Sequence, residues 1–247
     1  MDNKEIIINI EHLKKTFGKT EILKDINLQL SKGETIVTLG KSGTGKSVTL
    51  KCIVGLITPD SGTVKVLGLN IPDLSYEELQ QVRKKVGFIF QSGALYDSMS
   101  VRQNLEFPIV RNLKLSQDEI DKKVEEVLND VGLIDAIDKM PSELSGGMRK
   151  RIGVARTIIM NPEIMLWDEP TTGLDPETTR DISQLIVRMQ EKYKVSSIVV
   201  THDMICANMV ANKILVLKDG TYSNSGTYRE LENSKDDFVR SFFEEVR

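Results

Sequence analysis

The segment Gly40-Lys41-Ser42-Gly43-Thr44-Gly45-Lys46-Ser47 constrains this chain more than any other. It follows a short apolar run, Thr35–Leu39, and opens a helical pattern that continues from Ser47 to about Leu56. The spacing is G-x-x-x-x-G-K-[ST]. Glycines at these places let backbone N–H groups turn inward around an anion, and the helix behind them presents its positive end. Lys46 is placed to bridge the β- and γ-phosphates of a nucleotide, and the Ser47 hydroxyl to ligate Mg2+. The stretch from Gly40 through Val48 is thus a candidate phosphate cradle. A continuous apolar strand feeding such a loop belongs in an α/β fold whose parallel sheet is covered on both faces.

Composition allows that fold and excludes several others. A length of 247 residues suits one large domain. Apolar residues make up 40% and charged residues 28%, enough for a packed core and too apolar for a disordered chain. The 33 Lys+Arg stand against 36 Asp+Glu, a net charge of −3, which lacks the basic excess of a general nucleic-acid binder. The longest stretch without a charge, Val86–Tyr96, has 11 residues, short of the roughly 20 apolar residues of a membrane-spanning helix. The opening Met-Asp-Asn-Lys-Glu lacks a signal-peptide apolar region. Cys52 and Cys206 lie far apart with no CxxC or Cys/His cluster, so they read as buried thiols in a reducing compartment.

Residues 5–10 and 22–30 are rich in β-formers around a turn at Phe17-Gly18-Lys19, and Ile26, Leu28 and Leu30 alternate as in a half-buried strand. Further strands are expected at 61–67 and 86–90. From about Ser98 to Thr157 the pattern turns helical. Ser116-Gln-Asp-Glu119 has capping-box spacing, and Ile120, Val124, Val127, Leu128 and Val131 share one helical face behind it. Strand patterns return at 163–167 and 195–200, each followed by a helix. Residues 214–217 and 221–228 flank Lys-Asp-Gly, a hairpin signal. One domain with a helical insertion fits better than two independent domains.

A phosphate loop gives binding; hydrolysis needs acids beside it. Ile164-Met-Leu-Trp-Asp168-Glu169-Pro170 supplies two carboxylates where an apolar strand ends, the edge at which a parallel sheet binds ligands. Asp168 is placed to hold Mg2+ through water, and Glu169 to orient or deprotonate an attacking water. Trp167, at strand spacing, reads as core.

Taken together, the motifs resemble the nucleotide-binding subunits of ABC transporters over about residues 5–230. Leu144-Ser145-Gly146-Gly147-Met148 looks like the family signature, Gly173-Leu174-Asp175 like its D-loop and Thr201-His202-Asp203 like its H-loop. Gln91, after a strand, matches the Q-loop glutamine, and Phe17 stands where the family stacks an aromatic on adenine. The resemblance implies a P-loop ABC nucleotide-binding domain: a RecA-like parallel-sheet core, an antiparallel β subdomain and a helical subdomain at about 92–157, with residues 231–247 a C-terminal extension. It implies ATP and Mg2+ as ligands and a head-to-tail homodimer. Each ATP would lie between the phosphate loop of one copy and Ser145, Gly146 and Gly147 of the other. Glu169, His202 and Gln91 would serve hydrolysis, Gln91 would also contact Mg2+ with Ser47 and Asp168, and Asp175 would cross the dimer interface.

Two details resemble a narrower group, the ATPases of Mla/Mce-type (Ttg2-like) lipid transport systems. The signature ends in Met148, followed by Arg149-Lys150-Arg151, and Gln91 is followed by Ser-Gly-Ala-Leu-Tyr-Asp-Ser-Met-Ser-Val-Arg-Gln-Asn-Leu-Glu-Phe-Pro. The tail Asp237-Phe-Val-Arg-Ser-Phe-Phe is also similar to that group, whose C-terminal extension reaches across the dimer. That resemblance implies an integral membrane permease as partner, a possible Mce-type lipid-binding subunit, a peripheral place on the cytoplasmic side of the inner membrane, and phospholipid or other hydrophobic cargo. A transporter ATPase for another cargo, such as an amino acid, is the alternative. A soluble ABC ATPase acting on ribosomes or DNA fits less well, since one phosphate loop and a short insertion replace the paired domains or long coiled coil of those proteins.

Overall fold

The computed structural model describes residues 5–91 and 93–244. The start of the chain through residue 4, Ser92 at the head of the expected helical subdomain, and the last three residues of the C-terminal extension lie outside the described residues. Ten strands form one sheet: β1 (Ile6–Phe17), β2 (Thr20–Ser31), β3 (Thr35–Leu39), β4 (Ser61–Val66), β5 (Leu69–Asn70), β6 (Val86–Ile89), β7 (Ile164–Asp168), β8 (Ser196–Thr201), β9 (Lys213–Lys218) and β10 (Thr221–Gly226). Their spatial order is β5-β4-β1-β2-β10-β9-β3-β8-β7-β6. The helices are α1 (Lys46–Ile53), α2 (Tyr76–Lys85), α3 (Val101–Asn112), α4 (Gln117–Asp130), α5 (Gly146–Ile158), α6 (Pro176–Tyr193), α7 (Met204–Val210), α8 (Tyr228–Glu232) and α9 (Asp237–Glu244).

The sheet has two characters. β1, β2, β4 and β5 pair antiparallel. β9, β3, β8, β7 and β6 run parallel. Side chains of the parallel strands alternate between two cores. Val37, Leu39, Met165, Trp167 and Val199 face one, and Ile36, Ile164, Leu166, Ile198 and Val200 the other. Both faces are therefore covered, which is why these strands read as unbroken apolar runs. Trp167 is fully buried, with Nε1 donating to Ser197 Oγ at 3.3 Å.

Register carries the site. Ile89 pairs with Trp167, Asp168 with Val200, and Thr201 with Leu39. The residues just past these strands, Gln91, Glu169, His202 and Gly40, therefore emerge together at the carboxyl edge. The expected insertion is present as α3, α4 and α5, whose buried Leu105, Val124, Leu128 and Ile152 join one core with β7 and α6. The capping box of Ser116 and Glu119 forms as expected. The hairpin turn at Lys218-Asp219-Gly220 places Asp219 and Gly220 at φ +49° and +81°, the left-handed pair that a tight hairpin needs. β10 ends at Gly226, and Thr227 caps α8, so the expected strand to 228 is shorter.

Three features depart from the pattern. β1 and β2 extend beyond 5–10 and 22–30 because polar residues ride on bulges in an exposed hairpin. α2 is an additional helix, started by a Ser75/Glu78 capping box and largely exposed apart from Val82. The tail helix α9 folds back on its own chain: Val239, Phe242 and Phe243 are buried, and Lys41 and Lys218 lie 5.7 and 4.8 Å from the centre of the Phe238 ring.

Candidate nucleotide site

A cavity of about 680 Å3 opens at the carboxyl edge. It is lined by Phe17 and Ile22, the loop residues Lys41–Gly43 and Gly45–Val48, Gln91, Glu169, Thr172, His202, and Ser241 and Phe242 of α9. The loop takes its shape from glycine. Gly43 and Gly45 sit at φ +80° and +103°, where a side chain is strained. A Cβ on Gly40 would meet Leu217 O at 2.9 Å, so the loop lies close against β9.

The buried Lys46 ammonium donates to Gly40 O at 2.6 Å and Lys41 O at 3.1 Å, and lies 3.1 Å from Glu169 Oε1. Its carbonyl partners hold the charge at the loop's mouth. Ser47 Oγ donates to Asp168 Oδ1 at 2.6 Å. A hydroxyl and a carboxylate side by side form a hard oxygen pair of the kind Mg2+ accepts when phosphate oxygens and water complete its shell.

Glu169 has a left-handed backbone, φ +51°. Its N–H donates to Val200 O at 2.9 Å. Its Oε2 lies 2.8 Å from His202 Nδ1 and accepts from Thr172 Oγ1 at 3.1 Å. The carboxylate is thus held on three sides, by Lys46, His202 and Thr172. Asp203 does not enter this group; it caps α7, accepting from the N–H groups of Ile205 and Cys206.

The signature residues lie elsewhere. Ser145 caps α5, its Oγ accepting from Met148 N at 3.2 Å, and neither it, Gly146 nor Gly147 lines the cavity. Asp175 caps α6, accepting from the N–H groups of Glu177 and Thr178 and from Thr178 Oγ1. The Thr178 hydroxyl, first among these donors, holds the Asp175 carboxyl below its ordinary range. Within one chain, then, the phosphate loop, Asp168, Glu169, His202, Gln91 and Phe17 converge, while Ser145–Gly147 and Asp175 stand apart.

Four residues contribute to the site without having been assigned a role there from the sequence. Thr172 binds Glu169. Ser241 and Phe242 complete the cavity wall. Lys150 donates to Pro170 O at 2.7 Å and Thr172 O at 2.9 Å, bracing the turn that carries Glu169. Burial pushes the Lys150 ammonium below its usual range, partly offset by Glu169. Its only sequence signal is its place in the basic run Arg149-Lys150-Arg151. Both cysteines are buried, and desolvation pushes Cys52 up to about 11 and Cys206 to about 12.

Comparison with known proteins agrees with this geometry. The profile of the family described as ABC transporter matches residues 23–172. This chain belongs to the ABC transporter family. It is an ATP-binding, ATP-hydrolysing subunit. It is 39% identical over 237 residues to a Mycobacterium leprae (strain TN) protein named "probable ribonucleotide transport ATP-binding protein mkl", covering 96% of this chain and 68% of the relative. It is 37% identical over 225 residues to the methionine import ATP-binding protein MetN of Clostridium tetani (strain Massachusetts / E88), covering 91% and 70%. The chain thus spans about two thirds of the length of these relatives. Among solved structures, cbiO1 from Clostridium perfringens, part of the ABC transporter complex cbiONQ, superposes with a TM-score of 0.86 at 30% identity, covering 99% of this chain and 100% of that one. The dimeric post-hydrolysis state of the ATP-binding cassette MJ0796, bound to ADP and Pi, gives 0.81 at 32% identity, covering 90% and 99%. Among the described residues no helix is long and apolar enough to cross a membrane.

Proposed function

We propose that two copies of this chain power a transporter whose pore is a separate integral membrane permease, with hydrolysis at two sites shared between the copies. The observation that carries the reading is the split within one chain. The phosphate loop, Glu169 and His202 meet in one cavity, while Ser145, at the N-terminus of α5, lies outside it. A helix N-terminus with free N–H groups suits a γ-phosphate, and a second copy brings one to it. That the MJ0796 cassette was solved as a dimer supports this arrangement.

In this reading Phe17 stacks on adenine and the loop from Gly40 to Val48 holds the phosphates. Lys46 moves its charge from Glu169 to the β- and γ-phosphates. Ser47, Asp168 through water, and Gln91 at the rim would hold Mg2+, which would neutralise phosphate charge. Glu169 orients and deprotonates the attacking water, and His202 steadies the γ-phosphate. Asp175 faces the partner copy. Residues 1–230 act as one nucleotide-binding unit with a helical subdomain at about 92–157. Grooves beside Gln91 receive the permease; one is lined by the adjacent Phe90 with Ala94, Pro108 and Arg156.

For the cargo we infer an Mla/Mce-type system moving phospholipid or another hydrophobic molecule, on the strength of Met148-Arg149-Lys150-Arg151, the segment after Gln91, and the tail. A small polar solute is the second reading, favoured by relatives named for ribonucleotide transport and methionine import. Affinity purification from the native membrane decides between them. An Mce-type subunit and bound lipid are expected; an amino-acid- or nucleotide-binding subunit overturns the lipid reading.

A further inference from the structure

Helix α5 touches the start of α6 and two loops around the site. In its first turn, a Cβ on Gly147 would meet Thr178 Cγ2 at 2.8 Å, at the start of α6. One turn on, Lys150 reaches the carbonyls of Pro170 and Thr172. Beyond that, a Cβ on Gly153 would meet Gly93 O at 2.9 Å, and Arg156 donates to Ala94 O in the loop after Gln91.

The Lys150 contact is the one that reaches Glu169. Lysine heads seek water or a carboxylate. This one is partly buried and spends two donors on main-chain carbonyls instead. Those carbonyls belong to the turn in which Glu169 sits left-handed. Thr172 N donates to Glu169 O at 3.3 Å, and Thr172 Oγ1 to the Glu169 carboxylate. A left-handed non-glycine residue persists only where its surroundings over-determine it, and Lys150 is a clamp of that kind.

We propose that Lys150 is a positioning residue for ATP hydrolysis. It fixes the turn that aims Glu169, and it ties that turn to the helix whose first residues serve the partner copy's nucleotide. A shift of the signature end of α5 at one site thereby moves Glu169 at the other. The inference rests on the proposed roles of Glu169 and Ser145.

The test uses the full chain, with steady-state ATP hydrolysis, fluorescent-ATP binding and melting measured together. Lys150→Met removes the donors and keeps the stem. A loss of kcat of about tenfold or more is expected, since small misplacements of a reacting group cost that much, with KM and nucleotide affinity within about twofold. Lys150→Arg, whose guanidinium reaches both carbonyls, restores most of the rate. Glu169→Gln is run beside them. If it hydrolyses at the wild-type rate, the underlying reading of Glu169 fails. If it is inactive while Lys150→Met turns over normally, the Lys150 inference alone fails. An equal loss in Lys150→Arg and Lys150→Met also overturns it. Should Lys150→Met unfold, Lys150→Gln, which is polar but one bond too short to donate to both carbonyls, takes its place in the same comparison with the same expected loss.

Discussion

Substituting alanine at Gly45 and at Gly43 separates two costs of building the phosphate loop. Both residues have positive φ, +103° and +80°. An L side chain there costs about 1–2 kcal/mol of backbone strain. The two differ in what a Cβ meets. At Gly43 nothing lies within 4 Å, whereas at Gly45 the Cβ would stand 2.6 Å from Leu23 Cδ2 and 3.0 Å from Ile22 Cγ2. Leu23 is fully buried in the antiparallel core and cannot swing away. Overpacking of this kind costs about 1–3 kcal/mol more. Gly43→Ala should therefore lose about 1–2 kcal/mol and Gly45→Ala about 2–5 kcal/mol. In a chain of this size each kcal/mol lowers the melting temperature by about 2–4 °C. Denaturant titration of both variants at unchanged m-value reads the difference. Equal losses would refute the steric half of the reasoning, and a larger loss in Gly43→Ala would refute all of it.

Other expectations follow from the same geometry. Lys46→Ala removes the buried ammonium that reaches Gly40 O and Glu169, and calorimetry should show ATP affinity falling by about 10- to 100-fold, the worth of a charged hydrogen bond. Phe242→Ala should cost about 3–5 kcal/mol on denaturation, because the ring is buried in this chain's own core; no loss would mean α9 packs elsewhere. Asp175 has a depressed folded-state pKa, so its capping stabilises the fold above the ordinary aspartate value of 3.8 and fades as pH falls through the lower folded value. The melting-temperature gap between wild type and Asp175→Asn should be full at neutral pH and close in acid.

Much of this was legible in residue patterns, because the site is built where apolar strands stop. The runs 35–39, 163–167 and 195–200 are pure enough to read as buried strands, and their lengths bring Gly40, Glu169 and His202 to one edge once β3, β7 and β8 pair in parallel. The face of α4 was equally clear, since one side alone is buried. α2 was hidden because only Val82 among its residues is buried, leaving no apolar stripe; Ser75 with Glu78 was the available signal. Thr172 and Lys150 were hidden for another reason. Each acts through a local turn, and main-chain carbonyls leave no mark in a sequence. The tail was legible only as a resemblance, which says nothing of what its apolar residues pack against; in this structure α9 covers its own chain and walls the cavity.

The proposed function turns on Glu169 activating water at a site completed by a second copy. Its most direct measurement is Glu169→Gln in the full chain, following hydrolysis and self-association with Mg-ATP. Unimpaired ATP binding, a stable ATP-dependent dimer and turnover lowered by a factor of about 100 or more, the scale of losing a general base, are expected. Wild-type turnover, or an ATP-loaded chain that stays monomeric, would contradict it.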